Sequence, residues 1–147
     1  MSILFIENSK RLELSILGYE FPDGRGDLYD RNWLNVGVAY DGGSLSFRQK
    51  DSCLLSFELA ALTEAVDAIL AGRESGTITD FTEPYLTLAV TRVEDVYALQ
   101  VRFVYDTEGK WKTVCVCQAL DRRALAELNA ELKAMYARFP KREAREY

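Results

Sequence analysis

Residues Trp33–Ala71 read WLNVGVAYDGGSLSFRQKDSCLLSFELAALTEAVDAILA, and a change of period inside this stretch decides the fold. Over Trp33–Tyr40, Leu34, Val36 and Val38 alternate with Asn35 and Gly37, the period of a strand with one buried face. Asp41-Gly42-Gly43 is a hairpin signal, since glycine supplies the positive φ that such turns need, and Ser44–Lys50 returns as the paired strand. The apolar positions then move to helical spacing. Leu55, Leu59, Leu62, Val66, Ile69 and Leu70 form one stripe, predicting a helix over about 54–71. Asp51, Ser52 and Ser56 can each cap it, and Gly72 is placed to end it.

On the N-terminal side, Ile3–Glu7 reads as a short strand. Arg11–Tyr19 reads as a half-buried one, with Leu12, Leu14 and Ile16 opposite Glu13 and Ser15. On the C-terminal side, Gly76–Phe81, Tyr85–Val93, Tyr97–Tyr105 and Trp111–Ala119 are strand-like runs whose short connections imply antiparallel neighbours. Asp121 can cap a last helix reaching about Phe139, with Leu120 and Leu125 as its hydrophobic staple. Leu125, Leu128, Leu132, Met135 and Phe139 form its stripe, and Pro140 stops it. Strands followed by a helix, twice, describe an α+β fold: an antiparallel sheet of about seven to eight strands with two packed helices. The chain of 147 residues suits one domain, expected over 1–140, with a charged, frayed tail over 141–147.

Composition narrows the chemistry. Histidine is absent, which removes the commonest general base and rules out Ser-His-Asp and Cys-His arrangements. Three cysteines, Cys53, Cys115 and Cys117, cannot build a four-thiolate zinc site. Their odd number, with no secretory leader, argues against a disulfide framework. Cys115 and Cys117 share one face of a strand, and core filling is the expected role for at least two of the three. No apolar run reaches the length of a membrane helix, so a cytoplasmic protein is expected. Catalytic residues, cofactor and metal are all expected to be absent. Two scattered carboxylates suffice for glycoside hydrolysis, so a carboxylate hydrolase stays open as an alternative, as does a small-ligand-binding domain using aromatic strands.

The net charge is −5, but residues 1–100 carry 8 Lys/Arg against 16 Asp/Glu while residues 101–147 carry 10 against 7. The acidic majority argues against duplex binding, which needs clustered cations, and favours a basic partner. The sharpest candidate surface is the loop from Glu20 to Asn32, broken by Pro22, Gly24 and Gly26 and long by ordinary standards. Glu20, Phe21, Asp23, Asp27, Tyr29 and Asp30, with Trp33 after it, set aromatic anchors among acids, as a basic protein partner would require. The bland counterpart is an Ω-loop packed on its own aromatics. Asp23, Asp27 and Asp30 lack the spacing of a calcium loop, and Gly24-x-Gly26 is not set between a strand and a helix as a phosphate cradle requires.

Three blocks carry a resemblance: Leu12-Glu-Leu-Ser-Ile-Leu-Gly-Tyr-Glu-Phe-Pro22, Asp30-Arg-Asn-Trp-Leu-Asn-Val36 and Asp51-Ser-Cys-Leu-Leu-Ser-Phe-Glu-Leu59. In order and spacing over about residues 12–72, and loosely on to Phe139-Pro140, the chain resembles the bacterial WapI-like immunity proteins. The resemblance implies inhibition without catalysis: binding a cognate toxin domain, often a nuclease with a basic cleft, and covering its active site. Most matching residues, such as Gly18, Pro22, Trp33, Cys53, Leu54 and Leu55, look structural, so the resemblance transfers no binding residue and leaves the oligomeric state open.

Overall fold

The structure, a computed structural model, describes residues 2–143. Its elements run β1 (Ser2–Glu7), β2 (Lys10–Tyr19), α1 (Leu28–Asn32), β3 (Trp33–Asp41), β4 (Ser46–Leu55), α2 (Ser56–Leu70), β5 (Gly76–Ile78), β6 (Leu86–Val93), β7 (Val96–Thr107), β8 (Lys110–Leu120) and α3 (Arg122–Arg138). The α+β class and the repeated order of strands then helix stand. The eight antiparallel strands do not form one sheet, however. They form two four-stranded meanders, β1-β2-β3-β4 and β5-β6-β7-β8. The division follows from α2, which leaves β4 without a connecting loop and returns the chain to β5, and β5 pairs with β6.

The alternation read from sequence sets the layers. Leu12, Leu14 and Ile16 of β2 and Leu34, Val36, Val38 and Tyr40 of β3 point inward, and Leu99, Val101, Phe103 and Tyr105 of β7 meet them from the second sheet. Phe47 of β4 stacks on Tyr105 with ring centroids 4.4 Å apart, joining the two sheets at one end. At the other side β1 and β8 meet edge to edge through side chains. The Cys117 amide donates to Glu7 Oε1 at 2.8 Å, and the Ile6 amide donates to Gln118 Oε1 at 3.3 Å. A carboxylate and a carboxamide thus stand in for ladder bonds, satisfying edge amides that would otherwise invite another strand.

Helices α2 and α3 close the core with their apolar stripes. Leu59, Leu62, Val66 and Ile69 of α2 and Leu125, Leu128, Leu132 and Met135 of α3 are buried, each such side chain contributing about 1.5–3 kcal/mol of transfer free energy. Between the helices, Asn129 Nδ2 donates to Thr63 O and to Asp67 Oδ1, fixing their register. The caps are partly as expected. Asp121 accepts from the Ala124 amide at 2.7 Å, and Gly72 takes φ +75° just past α2. The N-terminus of α2 differs. Strand β4 runs on to Leu55, so none of Asp51, Ser52 or Ser56 is the cap; Glu58 Oε1 reaches back to the Leu55 amide at 3.0 Å instead.

The cysteines depart from expectation. Only Cys53 is buried; Cys115 is half-buried and Cys117 is exposed. Val114 and Val116 occupy the inward positions of β8, which sends Cys115 and Cys117 together to its outer face. Burial, reinforced by the Asp51 carboxylate, pushes the Cys53 thiol up to about 12. An unfolded thiol ionises near about 8.5, so above that pH the unfolded chain holds fewer protons than the folded one. Folding stability is therefore expected to fall as pH rises from about 9 towards 12, and Cys53→Ala should flatten that decline in urea titrations. A thiol reagent near neutral pH should label Cys115 and Cys117 while sparing Cys53; equal labelling of all three in the folded protein would contradict this.

Candidate functional site

The Glu20–Asn32 segment is closed at its base, where the Glu20 amide donates to Trp33 O at 2.8 Å. Its second half is helical, contrary to an irregular loop throughout. Asp27 precedes α1, and its Oδ1 accepts from the Asp30 amide at 2.9 Å, the side-chain cap that lets a five-residue helix form. Gly26 is required just before it. Its φ is +90°, and a Cβ there would run into the Asp30 side chain.

The segment is held from the far end of the chain. The sequence predicts a charged, frayed tail from Lys141 onward. Residues 144–147 of it lie outside the described residues, but Arg142 is fastened to this loop. Its Nη2 donates to Phe21 O at 2.8 Å, its Nη1 to Pro22 O at 3.2 Å and its Nε to Arg31 O at 2.7 Å. The Arg142 guanidinium also lies 3.6 Å from the centroid of the Tyr19 ring. Asn32, fully buried, accepts from the Arg142 amide at 2.7 Å and returns a bond from Nδ2 to Arg142 O at 2.9 Å. Burial pushes the Tyr19 phenol up, partly offset by the Arg142 charge. A guanidinium suits this position because its planar fork can serve several carbonyls at once.

The predicted residues are near one another in this loop but not equivalent. Glu20, Asp23, Asp27 and Tyr29 are exposed, Phe21, Asp30 and Trp33 half-buried. Tyr29 sits edge-on to Phe57 of α2, with centroids 5.9 Å apart, and Arg25 covers Phe21 at 5.1 Å. Asp27 is committed to the helix cap, and Asp23 Oδ1 accepts from the Arg25 amide at 3.3 Å. Arg25 and Arg31 already stand among the four acids in the sequence, and folding adds Arg142 to them, so three cations accompany the four acids in space. Sequence reasoning missed Arg31, Asn32, Phe57 and Arg142. For Arg142 and its partner Asn32, bonds to residues more than a hundred positions away leave no local pattern to find.

Other concave surfaces offer less. The outer face of the first sheet forms an open groove of about 730 Å³ lined by Arg11, Glu13, Ala39, Asp41 and Arg48 among others. A smaller one of about 170 Å³ lies between α2 and β5, with Glu58 and Asp80. In each, one acid already serves backbone amides: Asp41 accepts from Gly43, and Glu58 from Leu55 and Thr82. Among the described residues no group of three or more Cys, Asp or Glu is placed to hold a metal ion, and no helix is long and apolar enough to cross a membrane.

Compared with known families, residues 3–140 match the family described as Immunity protein WapI-like. The chain belongs to the WapI-like immunity protein family. The match takes in both sheets, both long helices and the Glu20–Asn32 loop, and ends just before the residues that fasten the loop. No curated protein matches the chain in a sequence search. In this WapI-like chain the Glu20–Asn32 loop exposes Glu20, Asp23, Asp27 and Tyr29 on a backbone fastened by Arg142.

Proposed function

We propose that this WapI-like chain is a non-catalytic immunity protein that binds a cognate toxin domain and keeps its active site covered. The family match over residues 3–140 carries the reading. The exposed edge of the Glu20–Asn32 loop is the proposed contact surface, with Phe21, Tyr29 and Trp33 as anchors and Glu20, Asp23 and Asp30 as the charged rim. The chain's charge of −5 favours a basic toxin surface, such as a nuclease cleft, and the cytoplasm, where such a nuclease would act, is the proposed location. Arg142 supports the reading by pre-ordering the loop, which lowers the entropy lost on binding.

The test is co-expression with the toxin domain encoded immediately upstream. Growth should be restored, and the two chains should purify as a complex. Failure of both, with folded protein present, would overturn the reading. The surface is tested separately by Glu20→Lys with Asp23→Lys, which spares the Asp27 cap. The double variant should associate about tenfold more slowly at low salt, with the difference shrinking as salt screens it, and should unfold at nearly the wild-type temperature. An unchanged association rate would move the interface elsewhere.

A further inference from the structure

Cys115 and Cys117 take no part in the proposed toxin contact. They occupy alternate positions of β8 on the outer face of the second sheet, with their Sγ atoms 3.8 Å apart. Cys115 lies opposite Arg102 and Cys117 opposite Gln100 in the β7–β8 ladder. On the other side, the Cys117 amide is fixed by Glu7 of β1, so the strand is held along both edges where the sulfurs project.

Such a pair is poorly built for a disulfide. Residues two apart on a strand have Cα atoms about 6.6–6.8 Å apart, at the outer limit for the bond, and the sulfurs would have to close to about 2.05 Å. It is well built for chelation. Two bonds of zinc–thiolate length, about 2.3 Å, meeting at a tetrahedral angle span about 3.8 Å. A tetrahedral metal needs further donors, and among the described residues none completes a group of three Cys, Asp or Glu. A soft centre that needs only two sulfurs is the ligand that fits.

We propose that Cys115 and Cys117 form a dithiol site for a trivalent arsenical carrying one organic substituent, which supplies its own third ligand through carbon. The reaction is a condensation. Two S–H bonds and two As–OH bonds are exchanged for two As–S bonds, the thiol protons leave with the hydroxyls as two waters, and arsenic and sulfur keep their oxidation states. The angle at pyramidal arsenic, narrower than tetrahedral, asks the sulfurs to approach slightly, which side-chain rotation supplies without disturbing the ladder. The site is independent of toxin binding.

The probe is phenylarsine oxide added to the reduced full chain with excess 2-mercaptoethanol, read by intact mass. One adduct per chain is expected, resistant to the monothiol and removed by ethanedithiol. Cys115→Ser and Cys117→Ser should each weaken retention on the order of a hundredfold, the advantage of joining two ligands on one scaffold. Cys53→Ala should leave it unchanged, and circular dichroism should show all variants folded. Full retention in either serine variant, no wild-type adduct, or one arsenical bridging two chains would each overturn the proposal.

Discussion

Arg142→Ala is expected to cost about 2–4 kcal/mol and to free the Glu20–Asn32 loop while leaving both sheets folded. The side chain serves three carbonyls, those of Phe21, Pro22 and Arg31, and covers the Tyr19 ring. Hydrogen bonds from a charged donor are worth about 1.5–3 kcal/mol each, but bonds sharing one side chain do not add, so the total stays near that of one or two. Hydrogen exchange should show lost protection over residues 21–32, with little change in β6–β8. Arg142→Lys should recover less than half of the loss, because a single ammonium cannot reproduce the fork. Full stability and unchanged protection in the alanine variant would show that the loop stands without its fastening. If the loop is the toxin contact, the same substitution should weaken the complex through lost pre-ordering, although Arg142 need not touch the toxin.

Phe103→Ala is expected to destabilise the whole fold by about 3–5 kcal/mol, with a lower urea midpoint and a single transition. Phe103 is fully buried in β7, flanked in register by Leu86 and Val114, with its ring 6.3 Å from that of Phe47 in the opposite sheet. Its removal leaves a void at the junction of the two sheets, where backbone ladders on both sides limit collapse. Trp111→Ala is the internal contrast. That ring is 64% exposed and stacks only on Tyr85 at 5.5 Å, so its loss should cost about 1 kcal/mol. Equal costs for the two would mean that the sheets do not share one core.

Much of this fold was legible because its strands alternate cleanly and its two long helices carry continuous stripes. Leu34, Val36 and Val38 announce β3, and Asp121 and Gly72 mark helix ends through their side-chain oxygen and positive φ. The division into two sheets was not legible, since pairing depends on where α2 delivers the chain and no residue of β5 encodes its partner. Helix α1 was hidden because five residues carry too little periodicity and Gly26 read as a breaker. The cysteine parity was hidden for another reason. Cysteine is apolar enough to pass for either face, so Val114–Cys117 reads as uniformly buried.

The candidate site divides in the same way. The sequence alone determined the loop's place, its aromatic and acidic content and the three blocks that point to the immunity family, because each is a property of neighbouring residues. The tertiary structure decided what those residues do. It assigns Asp27 to a helix cap, turns Arg31 back onto Gly26 O, brings Arg142 among the acids and uses residues of the charged tail as the loop's fastening. It also brings the thiols of Cys115 and Cys117 within 3.8 Å on an open face. Local periodicity reports which side of a strand or helix is apolar. Hydrogen bonds between residues more than a hundred positions apart depend on how the layers close, and only the folded chain contains that information.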